Sequence, residues 1–334
     1  MLLDKSARKV VAGRNLVLFN ELSKVLRVFQ DHEIPVIVLK GAALANSVYE
    51  SIGERPMDDV DLLIHYEDRL KILSILEAAG YRVEPQLQEK FHPFNPHYRS
   101  ETNFWSKRGV LFDLHWELTC NEWMRKFIHL DTNTFWRSAQ PLDINGVRTQ
   151  QLSPSDTLLH VCLHLMNEAY FHLKAYQDIA KLINHYKLFP WDEFVERVVS
   201  ARMRTSCYIA IDISRKEFVF DIPAFVLSRL KPAGWKNWLI HRLIDPIKGV
   251  EGEPISRNKA FLVKLFSADG LIDVGNAVVF FLMPGPDWLT ERYNLTHRSQ
   301  AWLACVWHPI TILFRGFLGV WEVLGASVRD LSAR

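Results

Sequence analysis

Arg55-Pro56-Met57-Asp58-Asp59-Val60-Asp61-Leu62-Leu63-Ile64 is the stretch on which the reading of this chain turns. From Asp59 onward, carboxylate and apolar side chains alternate, the signature of a half-buried strand. Residues two apart on a strand face the same way, so Asp59 and Asp61 project together while Val60, Leu62 and Ile64 face the core. Adjacent carboxylates repel and resist ionising together unless a cation lies between them. A hard divalent ion, bound through oxygens and shared with a phosphate-bearing substrate, answers that repulsion. The plainer alternative is a strand end whose acids meet only solvent.

Two further stretches bear on the choice. Upstream, Ile34-Pro35-Val36-Ile37-Val38-Leu39 is a short apolar run ending in Lys40-Gly41, followed by Ala42 to Tyr49. It reads as strand, tight glycine turn and helix, an arrangement that lets backbone N–H groups approach a phosphate. Downstream, Val110-Leu111-Phe112-Asp113-Leu114-His115-Trp116-Glu117 alternates again. One face carries Val110, Phe112, Leu114 and Trp116. The other carries Asp113 and His115, a third carboxylate where a neighbouring strand completes a metal site.

As a set, these motifs resemble the polymerase-β-like nucleotidyltransferase superfamily, whose signature is a Gly-Ser turn opening a helix, an Asp-x-Asp strand and a later acid. The chain looks closest to a poorly characterised bacterial branch found among surface-polysaccharide and natural-product genes. That branch carries Lys-Gly-Ala-Ala-Leu, Arg-Pro-Met-x-Asp-x-Asp-Leu-Leu, an Asp-Leu-His-Trp strand, and later Leu-Ser-Pro-x-Asp and Leu-His-x-x-x-His, matched here by Leu152 to Asp156 and Leu159 to His164. The resemblance covers roughly residues 15 to 235. It implies Asp59, Asp61 and Asp113 as catalytic and metal-binding acids, with Mg²⁺ as the ion and Mn²⁺ as a substitute. Lys40, Gly41, Ala42 and Arg55 are the implied nucleotide-binding residues; Arg55 could equally form a salt bridge with Asp58. One departure is Ala42, where the superfamily has a phosphate-holding serine.

The fold expected is α+β: a small mixed β-sheet core with helices on one face over residues 1–150, then a helical domain over 151–245 and an aromatic-rich helical region over 256–334. The acids are expected on the uncovered face. Helices are anticipated at 14–32, around Leu70, Leu73 and Leu76, and at 174–187, 191–203, 205–219 and 223–231. A hairpin joins Thr102-Asn103-Phe104-Trp105 to the Asp113 strand, and a strand pair near Leu142 to Val147 closes the first domain. The segment from Pro85 to Ser100, with His92, His97, Tyr98 and Arg99, reads as a loop, and Asp245 to Pro254 as a linker.

Of 334 residues, 49% are hydrophobic and 23% charged, a globular balance. Forty basic against 38 acidic side chains leave a net charge of +2, which lacks the footprint of a duplex nucleic-acid binder. Cys120, Cys162, Cys207 and Cys305 are scattered, consistent with free thiols and a cytoplasmic protein.

Asp156, His160, His164, Glu168 and His172 fall four apart, a polar stripe on one expected helix. His160 and His164 have zinc-ligand spacing, but Val161 stands where the zinc-protease motif needs glutamate. The stripe is either a satisfied polar face or, with His115 and Asp178, an acceptor-side wall. Gln300 to Gly325 is rich in Trp, Phe and Leu; Pro309, His308, Arg315 and Glu322 interrupt it, so two short helices are expected, with peripheral membrane contact as the other reading.

Two functions lead at this point, ahead of a third, a membrane-associated scaffold in polysaccharide assembly that rests only on the aromatic C-terminus. One is a Mg-dependent enzyme transferring a nucleoside monophosphate from a nucleoside triphosphate to an acceptor that is a sugar, a lipid-linked glycan, a small metabolite, a peptide or an RNA end. The other is a non-catalytic nucleotide-binding or antitoxin-like module, favoured by Ala42 and disfavoured by three intact acids.

Overall fold

The computed structural model describes residues 4–83, 100–119, 123–244 and 256–332. The stretch with His92, His97, Tyr98 and Arg99, Cys120 and the whole of the 245–254 linker lie outside them. The architecture is α+β, a mixed sheet accompanied by helices.

Seven strands form one sheet: β1 (Ile37–Val38), β2 (Asp59–Leu63), β3 (Arg82–Val83), β4 (Glu101–Trp105), β5 (Leu111–His115), β6 (Gln140–Ile144) and β7 (Val147–Gln151). Their order is β3-β4-β5-β2-β1-β7-β6. The central pair, β2 and β5, is parallel, which requires a long crossover between them. Helix α1 (Lys5–Asp31), α2 (Lys40–Ser47) and α3 (Arg69–Ala78) complete this part. Leu22, Val25 and Phe29 of α1, Ile72 and Leu76 of α3, and Val60, Leu62, Phe112 and Leu114 of the central strands share one apolar core. Helix α1 starts earlier than its apolar repeat suggests, because the Asp4 side chain accepts the Ala7 N–H at 2.7 Å and caps it. Asn145 and Gly146, with φ of 51° and 80°, make the two-residue turn of the β6–β7 hairpin.

Helices then follow: α4 (Thr132–Ser138), α5 (Pro154–Asn167), α6 (Leu173–His185), α7 (Trp191–Ser200), α8 (Arg204–Glu217), α9 (Ala224–Leu230), α10 (Gly234–Leu243), α11 (Arg257–Phe266), α12 (Leu271–Leu282), α13 (Pro286–Arg292) and α14 (Arg298–Ser332). Two compact units arise: residues 1–121, 130–161 and 177–197 in one, and 122–129, 162–176 and 198–334 in the other. The first holds the sheet.

Two expectations are corrected. The polar stripe is cut short, since α5 ends at Asn167 and Glu168 and His172 lie in the connection to α6. Ala169 and Tyr170 there adopt φ of 50° and 63°, and the buried Tyr170 hydroxyl meets Ser267 Oγ at 3.1 Å; burying that large side chain outweighs helical continuity. At the other end, Pro309 lies inside a 35-residue helix instead of dividing two short ones. Proline removes one backbone bond from the ladder, a loss of one among the many bonds of a 35-residue helix whose turns leading up to Pro309 are seated by the buried Ala301, Ala304 and His308.

Candidate functional site

The site grows from the β2–β5 ladder. Register places Asp61 directly opposite Asp113, Asp59 opposite Leu111 and Leu63 opposite His115. Parallel pairing with matched pleats turns Asp59, Asp61, Asp113 and His115 to one face. That face is not wholly open: Leu63 and Asp61 are buried, whereas Asp59 and Asp113 are half-buried. Access is therefore at the Asp59–Asp113 end.

Asp61 is the electrostatic centre. Its Oδ1 accepts from Lys40 Nζ at 2.7 Å and meets His115 Nε2 at 3.0 Å. Burial opposes its ionisation, but Lys40 and His115 hold its carboxyl far below the usual range. Its neighbours behave oppositely. Burial, then the negative charge of Asp61, raises Asp59. Burial, then Asp61 and Asp59, pushes Asp113 up to about 6. The cluster thus holds one firmly ionised acid and two that resist losing their protons beside it.

His115 links the acids. Its Nδ1 lies 3.0 Å from Glu101 Oε2 while its Nε2 faces Asp61, and only an imidazolium can donate to both carboxylates at once. Glu101 is absent from the sequence-based set. Its signal lay in hairpin arithmetic: antiparallel β4 and β5 share a turn, and the register that pairs Phe104 with Phe112 sets Glu101 opposite His115.

Asp61, Asp113 and His115 bring possible ligand atoms within 4.8 Å of one another. Asp113 Oδ1 is buried with no hydrogen-bond partner, a cost of roughly 1–3 kcal/mol for a neutral group and more for a charged one. A divalent cation satisfies that oxygen and relieves the repulsion among the acids, so the donor set fits such an ion. With both ring nitrogens of His115 engaged, oxygens are the natural ligands and His115 orients Asp61.

Lys40 opens α2 with a φ of 39°, an unfavourable conformation for a residue with a Cβ. The N–H groups of the first turn have no carbonyl within the helix to bond. Gly41 packs so closely that an added Cβ would lie 3.3 Å from Met57 Cγ and 3.5 Å from Arg55 Nη1. Ala42 belongs to the apolar core and brings no hydroxyl to the turn.

Arg55 makes a bidentate contact with Asp178, with Nε–Oδ1 at 2.8 Å and Nη2–Oδ2 at 2.8 Å. Tyr49 donates its hydroxyl to Asp178 Oδ1 at 2.7 Å. Arg55 and Asp178 are both buried, and Asp178 is spent on this network instead of facing an acceptor. Asp58, the other expected partner of Arg55, pairs with Arg14 at 2.9 Å. Asp156 is buried beside Ser153 and Arg197. His160 is buried, and His164 meets the His172 ring edge-on at 4.9 Å.

Residues 2–218 match the family described as uncharacterised nucleotidyltransferase. No curated protein matches the chain. Among solved structures, the antibiotic-resistance factor ANT(2'')-Ia is 17% identical with a TM-score of 0.40, over 61% of this chain and 99% of that one. The lincomycin-bound lincosamide antibiotic adenylyltransferase LnuA is 16% identical, TM-score 0.32, over 49% and 94%. An antigenic nucleotidyltransferase-like protein from Paracoccidioides brasiliensis is 16% identical, TM-score 0.35, over 69% and 94%.

Proposed function

Since the chain belongs to the nucleotidyltransferase family that matches its residues 2–218 and is an enzyme of that class, we propose that it moves a nucleoside monophosphate from a nucleoside triphosphate to an acceptor hydroxyl or phosphate, with Mg²⁺ held by Asp59, Asp61 and Asp113. The reaction is an in-line displacement: a bond forms between the acceptor oxygen and the α-phosphorus, the bond to the β-phosphate bridge breaks, and pyrophosphate leaves. The observation that carries this reading is the buried, unpartnered Asp113 Oδ1 opposite Asp61.

When bound, the divalent ion neutralises the triphosphate and lowers the pKa of the acceptor oxygen. The remaining work falls to the chain. Asp61, kept ionised by Lys40 and His115, is the fixed anionic ligand at working pH. Asp59 flanks it and orients the triphosphate. Lys40 reaches the phosphates from the start of α2, where Gly41 leaves room for their approach to the backbone. Asp113, at the accessible end of the ladder, would hold the ion beside the attacking oxygen through its buried Oδ1, and the proton of that oxygen leaves to solvent. Incubation with each α-labelled triphosphate and Mg²⁺ against a panel of sugars, lipid-linked glycans, peptides and RNA ends, read by mass spectrometry, tests this. A mass increase of one nucleoside monophosphate on an acceptor, lost in Asp61→Asn, is the expected result. Nucleotide binding without transfer to any acceptor would favour a binding module instead.

A further inference from the structure

Helix α14 is turned inside out. Its small and polar residues Ala301, Ala304 and His308 are buried, at 0%, 1% and 1% exposure. Its bulkiest apolar residues face outward, with Trp302 66%, Ile310 65%, Phe314 61% and Phe317 62% exposed. Between Ser299 and Leu318 it is long and apolar enough to cross a membrane, yet only 17% of that window is buried. Helix α12, which packs on α14, adds exposed Leu271 and Ile272. An outward stripe this large has no place on a monomer in water.

We propose that this face lies in the plane of an anionic lipid surface. Charge selects lipid over a second copy of the chain. From His297 to Trp321 the sequence has no acid, while Arg298 and Arg315 are basic, and Arg315 is exposed beside Phe314. Over this window, pairing two such helices brings only bases together, since the nearest acid of the helix, Glu322, lies beyond it; a phosphate headgroup answers the arginines directly. Tryptophan suits the boundary between headgroup and acyl chain. Docking selects an in-plane arrangement over a span. His308 Nε2 meets Phe281 O at 2.8 Å and its Nδ1 meets the Tyr293 hydroxyl at 2.6 Å, in the middle of the apolar window. Crossing the bilayer would strip His308 of both partners and carry Arg315 into hydrocarbon.

Flotation of the full-length protein with vesicles of phosphatidylcholine and phosphatidylglycerol tests the proposal, alongside vesicles of phosphatidylcholine alone. The parent protein floats with the anionic vesicles and its tryptophan emission shifts to the blue. The combined variant Trp302→Ser, Phe314→Ser, Phe317→Ser loses most of the floated fraction, with an unchanged melting temperature because those side chains are already exposed. Arg315→Glu weakens flotation on anionic vesicles and decides the case if the combined variant fails to fold. Failure of the parent to float, undiminished flotation of either folded variant, resistance to alkaline carbonate extraction, or a concentration-dependent dimer that the combined variant dissolves would each overturn the proposal.

Discussion

Asp113 stands directly across the parallel β2–β5 ladder from Asp61, and the two carboxylates divide the charge of the site unequally. Asp61 is held ionised by Lys40 and His115, while burial and its acidic neighbours raise Asp113 to about 6. Between the unfolded pKa and 6, the folded protein binds the extra proton, so this group's contribution to stability falls as pH rises through that window. Asp113→Asn removes the penalty. In metal-free protein it should leave stability little changed at pH 4 and raise it at pH 8 by roughly 1 kcal/mol after solvent screening. Added Mg²⁺ should stabilise the parent and not the variant. Thermal melts at both pH values, with and without Mg²⁺, decide this; equal melting of parent and variant at pH 8 would remove the crowding argument.

Glu101 meets His115 Nδ1 at 3.0 Å, and its charge adds to the repulsion that raises Asp113. Partners of this kind fix the orientation of the groups beyond them, and their loss costs about 10–100-fold in metal affinity. Glu101→Gln should keep the fold and weaken Mg²⁺ binding by that order. Calorimetric titration in the absence of nucleotide measures it. Unaltered affinity would reduce Glu101 to a strand-edge acid.

The Arg55–Asp178 pair spans 123 residues of sequence and is buried. Removing one partner leaves an uncompensated buried charge, a loss of about 3–5 kcal/mol. Asp178→Ala should show it in denaturant unfolding, and Tyr49→Phe should show the smaller loss of one charge-assisted bond, about 1.5–3 kcal/mol. Near-native stability in Asp178→Ala would mean that the network is dispensable.

The central strands were legible because their signal is local. A period of two writes Asp59, Asp61, Asp113 and His115 onto alternate positions, and nothing distant is needed to read it. What escaped depended on partners far along the chain. Glu101 needed the hairpin register, Asp178 needed Arg55 and Tyr49, and Ala42 needed the core it packs into. Pro309 was read as a breaker by its local chemistry, but it costs only one ladder bond in a long helix whose preceding turns are seated by Ala301, Ala304 and His308.

Gly41 tests the turn by bulk alone. A Cβ there meets Met57 Cγ at 3.3 Å, and Met57 is flexible enough to give way. Gly41→Ala should therefore stay folded with modest loss of nucleotide binding. Gly41→Val should displace Met57 and crowd Arg55, and triphosphate binding should fail in calorimetry. Parent-like binding in the valine variant would show that this turn does not cradle phosphate.

Lys40 separates two roles that usually change together. Its ammonium sits 2.7 Å from Asp61 Oδ1, the oxygen a divalent ion would also use. As a cation beside a metal site it competes with the ion; as a phosphate contact it assists the triphosphate. Lys40→Met should therefore move two affinities in opposite directions. Mg²⁺ alone should bind more tightly, since one positive charge and one competitor for Asp61 are gone. The Mg²⁺-bound triphosphate should bind less tightly, because a hydrogen bond to a charged group contributes about 1.5–3 kcal/mol, or roughly tenfold or more in affinity. The fold gains nothing from the change, because methionine meets the same cost as lysine at a φ of 39°. Titrations with Mg²⁺ alone and with a non-hydrolysable triphosphate in excess Mg²⁺ give the two numbers separately. If both affinities fall, Lys40 acts by holding Asp61 in place; if triphosphate affinity is unchanged, the lysine is a counter-ion to Asp61 and the phosphates are gripped elsewhere.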